Sequence, residues 1–287
     1  MKDNNNESKI VEVFTDVNAH RSTADIIRRH STNQNDVREI AFEGLNLKQC
    51  RNILDLGCAF GFFTEALKGK VHPEAVVTGV DIIGNYEPLF LKACQRAGVK
   101  GSFRSSGVSV IKDFKDSSFD LILSSYSLYF FPEMIPDISR ILNRDGLLLT
   151  ISHDKHNMGE LVRFAKDALG SNGMLKQDTK LPIEIFISRF SSENGREILS
   201  PWFEDIRVID FKNSLFFQPD DISPLIKYFR FKCPFLLSET PTEARTIVKL
   251  FENYLQESFH YSRNGFKISK GDTIFVCSKP SYGRGAQ

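Results

Sequence analysis

The sequence predicts an α/β protein with a doubly wound, mostly parallel sheet, and three observations indicate this fold. First, short apolar runs rich in Val, Ile and Leu alternate with segments whose apolar residues recur at helical spacing. Second, these runs lack in-and-out alternation, as expected when helices cover both faces of a parallel sheet. Third, the first run ends in a glycine-containing turn that leads into a helix. We expect the core of the fold over residues 50–152.

The elements of this core follow one another in a regular order. Residues 1–49 are expected to form an N-terminal helical cap, because Ile26, Ile27 and Ile40 belong to apolar stripes at helical spacing. The predicted core strands are RNILDLG, AVVTGVDI, FDLILSS and GLLLTIS. The predicted helices between them carry apolar stripes that include Phe63 and Leu67, Phe90 and Ala93, and Ile138 and Ile141.

Residues 153–287 are expected to complete the sheet and to add a helical insertion within one domain spanning 1–287. The predicted strands are EDIRVIDF and FKISKGDTIFVCS, the latter with KGD as a hairpin turn. Between them, Ser223-Pro224 predicts one helix start, and a capping box from Thr240 to Glu243 predicts another. The insertion is either a substrate lid over the carboxyl ends of the strands or added bulk around a phenylalanine-rich core.

Composition excludes several classes of protein. Among 287 residues, 37 Lys and Arg nearly balance 36 Asp and Glu, so no general attraction to nucleic acid or membrane is expected. No apolar run approaches the roughly 20 residues of a membrane helix, and the polar start lacks the apolar region of a signal peptide. The five cysteines form no CxxC pair, which favours a reduced, cytoplasmic protein without a metal site.

The segment NILDLGCAFGFF carries the functional prediction. It is a strand, a turn containing Gly57 and Gly61, and the start of a helix whose first N–H groups favour an anionic ligand group. The next strand, VVTGVD, ends with Asp81, where a carboxylate can accept hydrogen bonds from both hydroxyls of a ribose. The two features together predict a ligand that contains adenosine.

The spacing Asp55-x-Gly57-x-Ala59-x-Gly61 differs from the GxGxxG of dinucleotide-binding proteins. It resembles motif I of class I methyltransferases that depend on S-adenosylmethionine (SAM), and the resemblance covers about residues 50–152. Ala59 replaces the usual middle glycine, and no Asp stands near Gly107-Val108, where many members contact adenine. Further features agree in order and spacing: Asp81, Phe119-Asp120, Leu128-Tyr129-Phe130 and ISRILNRDGLLLTIS.

The resemblance implies methyl transfer from SAM, with S-adenosylhomocysteine as product. It also implies a sheet of seven strands, of which the last is antiparallel. It places the motif I turn at the amino-acid end of SAM, Asp81 at the ribose, Ile82 at the adenine and the end of the fourth strand near the methyl group. The predicted cofactor-binding residues are Asp55, Gly57, Cys58, Ala59, Gly61, Asp81, Ile82, Ser106, Gly107, Ser124, Ser125 and Tyr126.

Two residues are candidates for catalysis. His153 directly follows the fifth strand, where an imidazole could take a proton from the acceptor, and a solvated loop histidine is the alternative. Tyr126 could offer its ring face to the sulfonium, or could simply belong to the core. His156, and His20 with Arg21, are lesser candidates.

The expected acceptor is a small organic molecule, and the sequence leaves open whether O, N or C is methylated. Residues 124–127 read SSYS instead of the Asn/Asp-Pro-Pro-aromatic motif of enzymes that methylate base or glutamine nitrogens, and no cysteine for cytosine C5 chemistry is nearby. The alternatives are a methyltransferase acting on protein or RNA, a SAM-binding domain without catalysis and, at the level of the fold, an NAD-dependent oxidoreductase.

Overall fold

A computed structural model describes residues 4–176, 178–237, 244–261 and 264–281. The strands in chain order are β1 (Asn52–Leu56), β2 (Val76–Val80), β3 (Lys100–Arg104), β4 (Phe119–Ser125), β5 (Leu142–His153), β6 (Phe203–Phe211), β7 (Ser214–Phe217), β8 (Phe266–Ser269) and β9 (Asp272–Pro280). The α-helices are α1 (Asn4–Thr15), α2 (Val17–His30), α3 (Val37–Phe42), α4 (Phe62–Glu65), α5 (Glu87–Ala97), α6 (Ile135–Ile141), α7 (Gly159–Ser171), α8 (Pro182–Arg189), α9 (Gly195–Leu199), α10 (Ile222–Leu236) and α11 (Ala244–Tyr261).

The main sheet has seven strands in the order β3-β2-β1-β4-β5-β9-β6. Strands β1 to β5 run parallel, and β9 pairs antiparallel with both β5 and β6. The predicted doubly wound, mostly parallel sheet is therefore confirmed, including the antiparallel last strand. Strand order reverses between β1 and β4, and ligands of such sheets bind outside the carboxyl ends of the strands at that point.

The centre of the sheet is buried on both faces. Ile53, Leu121 and Leu149, on neighbouring strands, expose none of their surface. Phe63 and Phe90 pack from the helical layers into the same core cluster. Full burial on both faces explains why these strands read as continuous apolar runs instead of alternating ones.

Strand β3 escaped the sequence analysis because it is an edge strand with little apolar content. Its residues KGSFR are mostly exposed, and only Phe103 is half-buried. The short strand β7 and the helices α7, α8 and α9 were not predicted either. Strand β7 and the helices α8 and α9 are short, and sequence periodicity detects short elements poorly. Helix α7 has buried Leu161, Ala165 and Leu169 at helical spacing, so periodicity could have predicted it.

The chain divides into two compact units. One comprises residues 1–34, 155–188 and 212–271, and the other comprises residues 35–154, 189–211 and 272–287. The first unit is mainly helical, with α10 and α11 joined by stacking of Phe229 on Phe251, whose ring centroids are 4.0 Å apart, and with a small antiparallel β7–β8 sheet. The second unit contains the seven-stranded sheet with α3, α4, α5, α6 and α9. The prediction of one domain with a cap and a lid stays a prediction.

Two local predictions were wrong. The KGD sequence is not a hairpin turn between paired strands, because β8 pairs with β7 whereas β9 pairs with β5 and β6. Local turn chemistry does not reveal which distant strand a segment joins. In addition, α10 begins at Ile222 after Asp221, so Ser223 is inside the helix and Pro224 is in its first turn. The predicted capping box from Thr240 to Glu243 lies outside the described residues.

Candidate functional site

The turn after β1 has a backbone that only small residues adopt easily. Gly57 has φ +67° and Gly61 has φ +79°, and Ala59 between them also has a positive φ, +42°. A Cβ on Gly57 would lie 2.5 Å from Cβ of Ser127, and one on Gly61 would lie 2.6 Å from Cβ of Ala93. Both glycines are therefore required by backbone conformation and by close packing.

Asp81, directly after β2, is bound to this turn. Its Oδ2 accepts a hydrogen bond from the backbone N–H of Ala59 at 2.9 Å, and its Oδ1 accepts one from the N–H of Ile83 at 3.0 Å. Burial raises the pKa of the Asp81 carboxyl, and the N–H groups oppose that rise. The result is an oriented carboxylate at the carboxyl edge of the sheet, with lone pairs beyond those that the backbone uses.

Asp55, inside β1, is a buried carboxyl group with one unsatisfied oxygen. Its Oδ2 accepts a hydrogen bond from Oγ1 of Thr64 at 2.6 Å, whereas its Oδ1 is buried and has no hydrogen-bond partner among the described residues. Burial raises the pKa of Asp55 from 3.8 to about 7; the Thr64 hydrogen bond opposes the rise, and the nearby Asp81 charge adds to it. An orphaned buried acceptor of this kind indicates a missing donor.

The turns that follow β2 and β3 come together beside Asp81. Ile82 is 63% exposed, an unusual state for a large apolar side chain next to a buried carboxylate. A Cβ placed on Gly107 would lie 3.9 Å from the Ile82 side chain, and Gly107 itself has φ +71°. Ser106 precedes it and is exposed. The structure thus brings Ile82 and Gly107 together at the edge where Asp81 lies.

The end of β4 is joined to the end of β1 by a chain of serine hydroxyls. Ser127 Oγ donates to the carbonyl of Leu56 at 2.8 Å, so its single proton is used, and Ser124 Oγ must donate to Ser127 Oγ at 2.9 Å. Both serines are buried. The Ser124 hydroxyl therefore serves first to hold the two strand ends together. Ser125 is half-buried and lies opposite Ile151 in the β4–β5 register.

Tyr126, His153 and Asp272 form a cluster at the same edge. Asp272 Oδ1 lies 2.6 Å from Nδ1 of His153, and Asp272 Oδ2 accepts a hydrogen bond from the Tyr126 hydroxyl at 2.9 Å. The rings of Tyr126 and His153 stack with centroids 4.9 Å apart. Side-chain exposure is 10% for His153 and 2% for Asp272, so His153 is not a solvated loop residue.

The two tyrosines of this region stay protonated. Burial, reinforced by the nearby Asp272 carboxylate, raises the pKa of both Tyr126 and Tyr129 above the ordinary value of 10. The Tyr126 hydroxyl is consequently a donor to Asp272 and not a base. Its backbone has φ +56°, a strained conformation for a residue other than glycine, of the kind that concentrates at functional sites.

Other predicted residues have different surroundings. The Cys58 side chain is buried against Gly79, where a Cβ would lie 2.8 Å from its Sγ, so only its backbone belongs to the turn. His156 is exposed. His20 lies in the helical unit, stacked on Phe231 with centroids 5.4 Å apart, and burial followed by the Lys232 charge lowers its pKa to about 3. Arg21 is exposed in α2 of the same unit.

The sequence analysis missed Asp272, Thr64 and Ser127. Thr64 is nine residues after Asp55 and faces it from α4, and Ser127 immediately follows a predicted site residue; both could have been found by considering neighbours of the motif. Asp272 is 119 residues from His153, and only the β5–β9 register brings the two together.

Among the described residues, no group of three or more His, Cys, Asp or Glu side chains could hold a metal ion. The helices within the described ranges include none with the length and apolar character needed to cross a membrane. The five cysteines are all buried free thiols.

Part of the chain is similar to a known family of proteins. Residues 54–150 match the family model described as a methyltransferase domain. A Bacillus halodurans protein described as a candidate methyltransferase aligns with TM-score 0.53 and 12% identity, over 86% of this chain and 100% of that chain. No curated protein sequence matches the chain.

Two further solved structures align less closely. The YcgJ protein of Bacillus subtilis gives TM-score 0.48 and 16% identity, over 91% of this chain and 100% of that chain. Phosphoethanolamine N-methyltransferase 2 of Haemonchus contortus, in complex with phosphomonomethylethanolamine and S-adenosylhomocysteine, gives TM-score 0.45 and 16% identity, over 91% of this chain and 53% of that chain.

The Bacillus halodurans structure supports the fold, and the family model supports the class of domain. The glycine turn, Asp55 and Asp81 all lie within the matched segment. Residues 54–150 are therefore similar to a methyltransferase domain.

Proposed function

We propose that this protein transfers a methyl group from SAM to a small organic acceptor and releases S-adenosylhomocysteine. The observation that carries the proposal is the Asp81 carboxylate, held by the N–H groups of Ala59 and Ile83 beside the exposed Ile82. A carboxylate in that position of an open α/β sheet is suited to the two hydroxyls of a ribose.

Three features of the described residues fit SAM. The orphaned Oδ1 of Asp55 could accept a hydrogen bond from the ammonium group at the amino-acid end. Asp81 would hold the ribose hydroxyls. Ile82, with Gly107 beside it, offers an apolar surface for the adenine, and Ser106 is the adjacent polar group.

The bound cofactor supplies an electrophilic methyl group on a sulfonium. The protein must then align the acceptor with that methyl and exclude competing water, since a pair held about 3–3.5 Å apart avoids a large entropic cost. The predicted methyl-facing residues are Ser125 and Tyr126, at the end of β4. The Ser124 hydroxyl is committed to Ser127, so Ser124 would contribute through its position in the strand.

A small acceptor is supported by what the end of β4 contains. Residues 124–127 lack both the Asn/Asp-Pro-Pro-aromatic sequence and a cysteine, and the net charge of +1 provides no general attraction for nucleic acid. The chain also contains 25 phenylalanines, and apolar side chains of this kind are suited to lining a pocket for a small organic acceptor.

The proposal is tested by supplying purified protein with SAM labelled in its methyl group, together with a cell extract divided into small-molecule and macromolecular fractions. We expect a labelled product other than SAM in the small-molecule fraction, and much less of that product with the Asp81→Ala variant at a SAM concentration below saturation. Asp145→Ala is the matched control, because Asp145 is exposed near the start of β5, away from the carboxyl ends of the strands. Label found only in protein or RNA would contradict a small acceptor.

A further inference from the structure

The Asp272 carboxylate has both of its oxygens engaged by ring side chains of the candidate site. Oδ1 contacts Nδ1 of His153 at 2.6 Å, and Oδ2 accepts a hydrogen bond from the Tyr126 hydroxyl at 2.9 Å. Asp272 is 2% exposed, so this carboxylate is held in one place by two directed contacts and by its surroundings.

The backbone that carries this group is rigidly defined by the sheet. His153 and Asp272 are direct partners in the antiparallel β5–β9 register. The carbonyl of His153 also accepts a hydrogen bond from the N–H of Ser192 at 3.0 Å, and the N–H of Tyr126 donates to the carbonyl of Ile151 at 2.9 Å. His153 and Asp272 therefore start from paired strands, and Tyr126 directly follows β4. Strands position a site more accurately than loops do.

We propose that Asp272 is a positioning residue that fixes His153 as the general base, and that the acceptor is consequently a molecule with a hydroxyl group. This inference rests on the proposed function, because it names the acceptor chemistry at the same site. The SAM-binding motif and the fold do not indicate which kind of atom is methylated, because that depends on the side chains of the site.

Hydrogen-bond chemistry decides the state of the imidazole. An ionised carboxylate only accepts hydrogen bonds, so Nδ1 of His153 must carry a proton and donate a hydrogen bond to Asp272. In the neutral ring, the lone pair is then on Nε2, which is the nitrogen able to take a proton from an acceptor. The Tyr126 hydroxyl completes the arrangement by donating to the second oxygen of the carboxylate.

The proton has a defined destination in the transfer step. The acceptor oxygen forms a bond to the methyl carbon while the carbon–sulfur bond breaks, and the electron pair of that bond stays on sulfur. The hydroxyl proton passes to Nε2 of His153, which becomes an imidazolium stabilised by Asp272. The products are a methyl ether, S-adenosylhomocysteine and a protonated base that returns its proton to solvent.

The need for a base favours a hydroxyl over an amine. A neutral amine attacks through its own lone pair and can lose its proton after transfer, whereas a hydroxyl is a weak nucleophile until its proton is removed. A buried, carboxylate-oriented histidine provides general-base catalysis worth about 100-fold or more in rate. The cluster therefore matches O-methylation.

The first test measures the tautomer of His153 by nitrogen NMR of the histidine rings in the protein bound to S-adenosylhomocysteine, with His153→Gln to assign the signals. We expect a protonated Nδ1 and an unprotonated Nε2 in the wild type. Asp272→Ala should lose this single tautomer, and the isosteric Asp272→Asn is the substitute if the alanine variant does not fold. A protonated Nε2 in the wild type would overturn the proposal.

The second test uses probe acceptors in pairs that differ only in the accepting atom: phenol with aniline, catechol with 1,2-diaminobenzene, and benzyl alcohol with benzylamine. We expect methylation of hydroxyl members, with kcat about 100-fold lower in His153→Gln and an unchanged KM for SAM. His72→Gln is the matched control, because His72 accepts a hydrogen bond from the N–H of Glu74 ahead of β2, away from this cluster.

Methylation of the amines alone, or hydroxyl methylation that survives both His153→Gln and Asp272→Ala, would overturn the proposal. If no probe is methylated, the tautomer decides: a protonated Nδ1 supports the dyad and a protonated Nε2 overturns it. Failure of the proposed function is recognised separately, since it would appear as no binding of S-adenosylhomocysteine by folded wild-type protein.

Discussion

The Asp81 carboxylate accepts a hydrogen bond from the backbone N–H of Ala59 at 2.9 Å, which ties the residue after β2 to the turn after β1. The two predicted halves of the cofactor site, the motif turn and the ribose carboxylate, are thus one hydrogen-bonded unit. A substitution at either residue should disturb both.

The pH dependence of folding stability should reveal the buried state of Asp55. Its pKa is about 7 in the folded protein against an ordinary 3.8, so between these values the folded form retains a proton that the unfolded form has lost. The free energy of unfolding should therefore fall as the pH rises through this window, by at most about 1.4 kcal/mol per pH unit from this group.

Urea unfolding of wild type and Asp55→Asn at pH 5 and pH 8 measures this effect. The asparagine variant cannot ionise, so its stability relative to the wild type should be greater at pH 8 than at pH 5. A difference between the two proteins that does not change with pH would contradict a strongly raised pKa.

Replacing Gly57 by alanine should lower the free energy of unfolding by more than the strain of the backbone conformation alone. Gly57→Ala places a methyl group 2.5 Å from Cβ of Ser127 in addition to imposing φ +67° on alanine. We expect a loss of about 3 kcal/mol or more in the free energy of unfolding, from strain and overpacking together.

Gly69→Ala is a matched control for this substitution, because Gly69 has φ +68° and no neighbour within 4 Å of an added Cβ. It should cost about 1 kcal/mol. Combining Gly57→Ala with Ser127→Gly should recover part of the loss. Equal costs at positions 57 and 69 in denaturant titrations would show that contact with Ser127 is unimportant.

Arg140 should influence cofactor affinity from outside the site. Its guanidinium donates to the carbonyls of Phe114 at 2.9 Å and Ile111 at 3.2 Å and pairs with Asp116 at 2.6 Å, which fixes the segment after β3. That segment begins at Gly107, beside Ile82. Loss of the contacts should let it move.

Arg140→Gln should weaken binding of S-adenosylhomocysteine by about fivefold, close to 1 kcal/mol. Arg51→Gln is the control, since Arg51 directly precedes β1 and forms an exposed ion pair with Glu74 at the amino ends of the strands. Equal affinities of the two variants for S-adenosylhomocysteine in a calorimetric titration would show that Arg140 does not influence cofactor binding.

The sequence was sufficient for the parts of the fold that repeat a strong local pattern. Strands β1, β4 and β5 each contain a run of buried apolar residues because helices cover both faces of the sheet, so each strand was recognisable on its own. Strand β3 was missed because it is an exposed edge strand whose residues resemble a loop. An edge strand pairs with only one neighbouring strand, and its sequence gives little indication of that pairing.

The candidate site divides along the same line. Gly57 and Asp81 were predicted as site residues because each directly follows a strand, and Asp55 was predicted from the resemblance to motif I. Asp272 was not, because its contact with His153 depends on the pairing of β9 with β5, and the KGD sequence that ends with Asp272 suggested a hairpin turn. Predicting this contact requires the register of the last strand, which no local pattern contains.

The measurement that tests the central claim most directly is a calorimetric titration of the purified protein with S-adenosylhomocysteine, beside Asp81→Ala and the control Asp145→Ala, with folding verified by circular dichroism. We predict saturable binding by the wild type and the control, and an affinity at least about tenfold lower, or about 1.4 kcal/mol, for Asp81→Ala. Equal affinity of wild type and Asp81→Ala, or no binding by folded wild type, would contradict the claim that Asp81 holds the ribose of SAM.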